Sequence, residues 1–422
     1  MRDSQGYQAT TSTVVGARTP SLFSRTLAQH TARVVADHPH REALVVADTG
    51  SRLSFGNLHT KSLALGRLLQ RHGLGSGDRL AVWLRNGEEW VVTLLACAAA
   101  QVTVAAIPAQ CSAAELRAAL ELADAKGLVL APAGANGVAL LDAAAPGLRS
   151  HGRCALLPSL QLVLTFGGAP VPGLLAAEEL LCRMDVDPIV DTTNRPAFNA
   201  NSAQLVCYTS GSTGTSRGVV LSGAEVTANA YFVGMRKGVV GGLDVGCVVQ
   251  PLSHVGGLVV NLLAQFVNGA TSVVASPAFD ARAALMQVEL EGCTVLDGVP
   301  SHFAMCLRLS SLSDIDLVAL CKGTIGGAHL AHQLLQDVVE DRPGALGMDL
   351  LTVSYGMTET SPVSFMGAPS DSLSLRTTTV GSIQVTPLFL APRSPRLAPH
   401  RTAPITHPHT LHSPSSSWMI AR

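Results

Sequence analysis

The sequence predicts an α/β protein built on mainly parallel sheets, on two observations. Helical stretches with apolar residues on a three-to-four spacing alternate repeatedly with short, wholly apolar runs, the pattern of strands buried on both faces. And 47% of the 422 residues are hydrophobic, ample for more than one buried core. With 29 Lys and Arg against 30 Asp and Glu, no net field exists to gather nucleic acid or anionic membrane, so the expected partners are small molecules.

The elements justify this in order. Residues 1–19 read as a flexible tail. The first 36 residues carry Arg2, Arg18, Arg25 and Arg33 against Asp3 alone, without the apolar stretch of a secretory signal. A transit peptide is the alternative to a frayed polar end. The first clear unit is RLSFGNLHTKSLALGRLLQRHGLGSGDRLAVWLRN, residues 52–86: a helix with Leu58, Leu63, Leu65, Leu68 and Leu69 as its apolar face, a Gly-rich stop, then the strand RLAVWL. The run WVVTLLACAAAQVTVAAIPA from Trp90 has the length of a membrane span. Its Ala/Leu-rich first half and β-branched second half, ended by Pro108, read instead as a buried helix leading into a strand.

Three further helix–strand units follow: AAELRAALELADAKGLVLAP, DARAALMQVELEGCTVLDGVP and HLAHQLLQDVVEDRPGALGMDLLTVSYGM. In such a fold ligands bind where loops leave the carboxyl ends of the strands. Nine cysteines, scattered from Cys97 to Cys321 with no C-x-x-C pair or zinc spacing, suit a reducing compartment, with the cytoplasm expected and mitochondrion or peroxisome as alternatives. From Val385 the chain is crowded with Pro, His and Ser and has no acidic residue. Residues 385–422 are therefore expected to be disordered, their abrupt start suggesting a shifted reading frame or retained intron; a His-rich metal site is the alternative.

One stretch resists a packing explanation. LVCYTSGSTGTSRGVVLS, residues 205–222, sets a run of Ser, Thr and Gly between apolar strands. Gly211, Gly214 and Gly218 let the backbone turn its N–H groups inward, while Thr209, Ser210, Ser212 and Thr213 add hydroxyl donors. Arg217 adds a permanent positive fork. Such a loop suits phosphate oxygens, against the plainer alternative of a flexible polar linker. It lacks the G-x-x-x-x-G-K-[ST] pattern of a Walker A loop.

The run resembles the signature [YF]-T-S-G-[ST]-T-G-x-P-K-G of the adenylate-forming acyl-CoA synthetases and ligases, with Ser216 in place of Pro and Arg217 in place of Lys. SYGMTETSPVSF from Ser354 resembles the same family's Y-G-x-T-E segment. The resemblance implies that Tyr355 stacks on adenine, Thr358 meets the α-phosphate and Glu359 holds Mg²⁺. It also implies that Thr209, Ser210, Gly211, Ser212, Thr213, Gly214 and Arg217 grip the triphosphate. The residue types suit these roles, supplying a π-face, an oxyanion donor, a hard oxygen ligand and a donor-lined loop.

Between these motifs, PLSHVGGL resembles the family's P-L-F-H-x-x-G-L segment, implying acyl-pocket roles for His254 and Gly257, with Ser253 where Phe is usual. DGVPSHFAMCL resembles its G-V-P-T segment. GTIGGAHL resembles its adenine-side loop, implying that Gly326, Gly327 and Ala328 approach the base.

The resemblance covers Pro20 to Ile383 and looks most like the medium-chain and related fatty acyl-CoA synthetases. It implies a large N-terminal adenylation domain over residues 20–384, with mainly parallel sheets flanked by helices. The implied reaction joins a carboxylic acid, expected to be a medium-chain fatty acid, to ATP, giving an acyl-adenylate that CoA then captures. ATP, Mg²⁺ and CoA are the cofactor and co-substrates it calls for.

The family's T-G-D motif and the Lys of its mobile C-terminal lid domain have no counterpart here, and Lys61, Lys126, Lys237 and Lys322 all precede Tyr355. The expectation is an incomplete, impaired synthetase. A nucleotide- or acyl-binding protein without turnover, and an unrelated α/β domain with a chance Ser/Gly loop, are the alternatives.

Overall fold

The computed structural model describes residues 25–131, 137–182, 199–209, 217–309 and 314–384. The flexible tail expected over residues 1–19 and the one expected from Val385 lie outside these residues. In chain order the strands are β1 (Glu42–Val46), β2 (Ser51–Ser54), β3 (Arg79–Trp83), β4 (Thr103–Ala106), β5 (Gly127–Leu130), β6 (Leu162–Thr165), β7 (Leu175–Ala176) and β8 (Ala203–Thr209). They continue as β9 (Arg217–Ser222), β10 (Val245–Val248), β11 (Thr271–Val274), β12 (Val295–Leu296), β13 (Lys322–Gly326), β14 (Leu350–Gly356), β15 (Val363–Met366) and β16 (Ser382–Ile383).

Two sheets result, a nine-stranded one ordered β16-β15-β14-β13-β12-β10-β11-β1-β2 and a seven-stranded one ordered β7-β6-β5-β3-β4-β8-β9. The antiparallel pairings are β1–β2, β14–β15, β15–β16 and β8–β9, all at sheet margins; the interior pairings are parallel. The expected mainly parallel α/β architecture is thus present.

Strand side chains alternate between two cores. Leu44 and Val46 of β1, Leu80 and Val82 of β3 and Leu205 and Cys207 of β8 face a central core between the sheets. Helices Phe55–Arg71, Glu88–Ala100 and Gly223–Lys237 fill that core from within. Val45, Cys247 and Val249 turn the other way, to helices Ala281–Glu291, Pro300–Leu307 and His332–Val339 on the outer face of the larger sheet. Ala81 and Trp83 do the same on the outer face of the smaller sheet, beneath helix Ala113–Ala123. This two-sided burial is why the strands read as continuous apolar runs.

All five sequence-predicted units form. The run from Trp90 is the helix Glu88–Ala100 followed by β4, and it is apolar all round because it lies between the sheets. Among the described residues no helix is long and apolar enough to cross a membrane. One face needs correction. On helix Phe55–Arg71 the buried line is Leu58, Ser62, Leu65 and Leu69, with Leu68 beside it, and Leu63 is only half-buried. Ser62 tolerates that position because its hydroxyl donates to Leu58 O at 2.8 Å, satisfying the one polar group it buries. All nine cysteines are free thiols.

Candidate active site

Strands β10, β12, β13 and β14 are consecutive parallel neighbours, so their carboxyl ends open on one edge of the larger sheet. The sequence-predicted residues sit at those ends: His254 after β10, Gly327 and Ala328 after β13, and Tyr355 next to last in β14, with Gly298 of the DGVP segment after β12. This is the crevice at which an open α/β sheet binds ligands.

The Gly-rich pair after β13 is shaped by its neighbours. Gly326 pairs with Ser354, and a Cβ on it would stand 2.4 Å from Ser354 O, closer than any side chain allows. Gly327 has φ of +78°, left-handed backbone that glycine adopts at no cost. Gly326 N donates to Gly298 O at 3.3 Å, which ties this loop to the strand end before Pro300. Tyr355 is 52% exposed, its ring 6.2 Å from that of Phe365, so one face remains open.

Beyond Gly356 the chain makes a short 3₁₀ turn, Thr358–Thr360. Thr360 fixes it from inside: its hydroxyl accepts from Met357 N at 3.0 Å and donates to Pro362 O at 2.6 Å. Thr358 is buried and Glu359 exposed. Among the described residues nothing pairs with the Glu359 carboxylate.

Strands β8 and β9 form an antiparallel pair in which Thr209 faces Arg217. The two therefore anchor the ends of the glycine-rich loop, whose Ser210, Gly211, Ser212, Thr213 and Gly214 lie outside the described residues. Arg217 opens β9 rather than ending the loop, exposed and without an ion-pair partner among the described residues. β9 belongs to the smaller sheet, yet it packs against the Thr358–Thr360 turn of the larger one. The phosphate-loop hairpin and the Y-G-M-T-E turn, far apart in sequence, thus meet.

His254 lies between β10 and a π-helix, Gly256–Leu263, a rare helix form that is frequent at functional sites. Its exposed ring accepts from Gly256 N through Nδ1 at 3.0 Å, which leaves the proton of the neutral ring on Nε2. Nearby protein atoms desolvate the imidazole and hold its pKa below the ordinary 6.5. Gly257 packs so closely on the preceding turn that a Cβ would fall 2.1 Å from Pro251 O.

Three asparagines that sequence reasoning does not single out hold these pieces in place. Asn86, in the loop after β3, donates to Gln250 O at 2.9 Å and accepts from Leu252 N at 2.8 Å. Asn261, inside the π-helix, accepts from Val249 N at 3.3 Å and Gln250 N at 3.4 Å. Asn229, in helix Gly223–Lys237, donates to Val363 O at 2.9 Å and accepts from Val363 N at 3.4 Å. For Asn229 and Asn261 the one visible signal is an amide inside an apolar helical stretch, as in VTANAYFV; Asn86, in a loop, has none.

Two further residues without a sequence signal, Lys237 and Asp297, form a fully buried ion pair at 2.6 Å. Lys237 also donates to Val260 O of the π-helix at 3.0 Å, and Gln265 donates to Asp297 at 3.2 Å. Burial pushes the ammonium pKa down and the carboxyl pKa up, each opposed by the partner's charge. The other lysines are paired too: Lys61 with Glu88 at 2.6 Å, Lys126 with Asp78 at 3.0 Å and Lys322 with Asp244 at 2.8 Å. All four lysines of the chain therefore sit in ion pairs.

A family model described as AMP-binding enzyme matches residues 31–389. The chain belongs to that family. Among this AMP-binding chain's relatives, "Acyl-CoA ligase SID4" of Ajellomyces capsulatus is 31% identical over 403 residues, covering 94% of this chain and 64% of its own length. The human "Medium-chain acyl-CoA ligase ACSF2, mitochondrial" is 29% identical over 391 residues, covering 88% of this chain and 61% of its own. The chain therefore spans less than two thirds of these relatives.

Among solved structures, the inhibitor-bound N-terminal domain of FACL13 from Mycobacterium tuberculosis superposes with a TM-score of 0.71 at 18% identity. It covers 86% of this chain and 83% of that domain. The anthranilate CoA ligase AuaEII with anthranoyl-AMP gives a TM-score of 0.74 at 19% identity, covering 86% of this chain and 65% of that one. The fold is that of the N-terminal domain of adenylate-forming enzymes.

Proposed function

We propose that residues 20–384 form the adenylation domain of an AMP-forming acid–thiol ligase. It activates a carboxylic acid, best a medium-chain fatty acid, with ATP and passes the acyl-adenylate to CoA. The observation that carries this reading is the meeting of the β9 hairpin with the Y-G-M-T-E turn beside the Gly326–Ala328 loop. In this reading the crevice edge combines the cation of Arg217, the hydroxyl donor of Thr358, the open carboxylate of Glu359 and the aromatic face of Tyr355.

In this reading the loop from Thr209 to Gly214, with Arg217, holds the triphosphate. Thr358 donates to the α-phosphate, whose charge redistributes as the acid's carboxylate attacks it and pyrophosphate leaves. Tyr355 and the Gly327–Ala328 backbone take the adenine. His254 and Gly257 border the acid, the buried π-helix beyond them favouring an aliphatic chain without a second charge. No side-chain nucleophile is required, since catalysis here is positioning and electrostatic stabilisation.

The donor set fits Mg²⁺. Glu359 is an exposed, unpaired carboxylate, and Mg²⁺ characteristically takes one or two carboxylates together with substrate phosphates. Among the described residues no cluster of three or more His, Cys, Asp or Glu offers another cation site. Bound there, Mg²⁺ would neutralise developing phosphate charge. Arg217, exposed and without an ion-pair partner among the described residues, is the cation this reading assigns to the triphosphate.

ATP–pyrophosphate exchange with a panel of carboxylic acids tests the proposal. Exchange that rises with medium-chain acids is the expected result. ATP binding without exchange for any acid would favour a binding protein, and better exchange with dicarboxylates or amino acids would overturn the acid assignment.

A further inference from the structure

We propose that Asn229 is a positioning residue for Mg²⁺, acting through the turn that carries Thr358 and Glu359; this rests on the reading of the crevice as an Mg·ATP site. The side chain is fully buried in the middle of helix Gly223–Lys237, where a polar amide costs free energy unless its partners are met. They are met on the turn's exit strand. The amide engages both backbone groups of Val363, as one strand residue engages another, and its Nδ2 lies 3.5 Å from Thr360 O.

The position of this contact gives it consequence. Asn229 sits on the helix that continues directly from β9, the strand that Arg217 opens. Ser222, the last residue of β9, fixes the start of that helix through a reciprocal capping box with Glu225, at 2.8 and 3.3 Å, so no loop separates strand from helix. The Y-G-M-T-E turn is closed internally by Thr360, and Asn229 adds hydrogen bonds that join its exit strand to the helix following the Arg217 strand, beside the packing of Val363 on Val233. The separation of Glu359 from Arg217, and so the fit of a cation shared between that carboxylate and the phosphates, is set through this junction. An outer group that orients a metal ligand typically governs affinity by about 10- to 100-fold.

ATP binding is measured by calorimetry in magnesium chloride and in EDTA, for wild type and Asn229→Ala, with thermal unfolding recorded alongside. Wild type is expected to bind ATP more tightly with Mg²⁺. In Asn229→Ala that enhancement should fall about tenfold, while affinity in EDTA stays within about twofold. Asn229→Thr, which fills more of the space and keeps a hydroxyl donor, should fall between the two and is read in the same way if the alanine variant does not fold. An unchanged Mg²⁺ enhancement in a folded variant, or an equal loss with and without Mg²⁺, would overturn the inference while leaving the ATP site standing. No ATP binding by wild type would overturn the functional reading and this inference together.

Discussion

The proposed acid side and the proposed nucleotide side of the crevice are both held by buried asparagines, but in opposite manners. On the acid side, the turn from Val249 to Leu252 is gripped from two directions, by Asn86 of the smaller-sheet half and by Asn261 of the π-helix. On the nucleotide side one buried amide, Asn229, bonds the turn's exit strand, while Arg217, Tyr355 and Glu359 stand in solvent. The acid side shapes an apolar boundary and is part of the core. The nucleotide side presents charges, Arg217 and Glu359, that are exposed and without ion-pair partners among the described residues. Damage to the first should therefore register mainly as lost stability, and damage to the second mainly as lost binding.

The sharpest way to break this division is Lys237, which ties Val260 on the acid side to Asp297 beside the adenine-side loop. Lys237→Met leaves a buried carboxylate without its cation, and removing one partner of such a pair costs about 3–5 kcal/mol. Urea unfolding should show that loss, and the double variant Lys237→Met with Asp297→Leu should recover most of it. A single variant as stable as wild type would mean that the pair contributes nothing to joining the two sides.

Next comes Asn86→Ala. It strands Gln250 O and Leu252 N in the interior, at roughly 1–3 kcal/mol for each unsatisfied group. The expected outcome is a lower unfolding midpoint with ATP affinity within about twofold of wild type. A selective loss of ATP binding with stability intact would erase the contrast between the sides.

Arg217→Ala makes the reverse claim. The exposed side chain has no ion-pair partner among the described residues, so stability should move by less than about 0.5 kcal/mol. ATP affinity should drop about tenfold or more, the scale of a charge-assisted hydrogen bond. Arg71→Ala, at the exposed end of helix Phe55–Arg71, is the control. Equal ATP binding by the two variants would remove Arg217 from the site.

These contrasts track what the sequence makes legible. Helix–strand alternation exposes all five units because two-sided burial makes whole strands apolar, and the Ser/Gly run and Y-G-M-T-E stand out because no core would choose them. Asn86, Asn229, Asn261 and the Lys237–Asp297 pair do not stand out. Their meaning lies in partners distant along the chain, as Asn86 with Gln250 or Lys237 with Asp297, and no local period encodes such a partner. Leu63 and Ser62 mislead for a related reason: a hydroxyl that bonds its own helix can replace a leucine on a buried face.

The smallest expected effect separates the two sides by pH. His30, on helix Leu27–Asp37, bonds Val267 O at 2.8 Å through Nε2, just past the acid-side helical segment. Burial lowers its pKa below the ordinary 6.5, outweighing the Val267 carbonyl, which favours the charged form; Arg25 and Arg33 add to the lowering. The unfolded chain therefore binds the proton more readily than the folded one between the two pKa values. The stability this contributes is fully present above pH 6.5 and is lost as pH falls through the folded value. One such group can change stability by at most about 1.4 kcal/mol per pH unit. His30→Gln removes the titration while keeping an N–H that can reach Val267 O, so its stability should fall less steeply than wild type below pH 6.5. His59, His254 and His302, also lowered by burial, would retain the remainder of the slope. Parallel stability–pH curves for the two proteins would mean that acid acts on the fold elsewhere than at this contact with the acid-side segment.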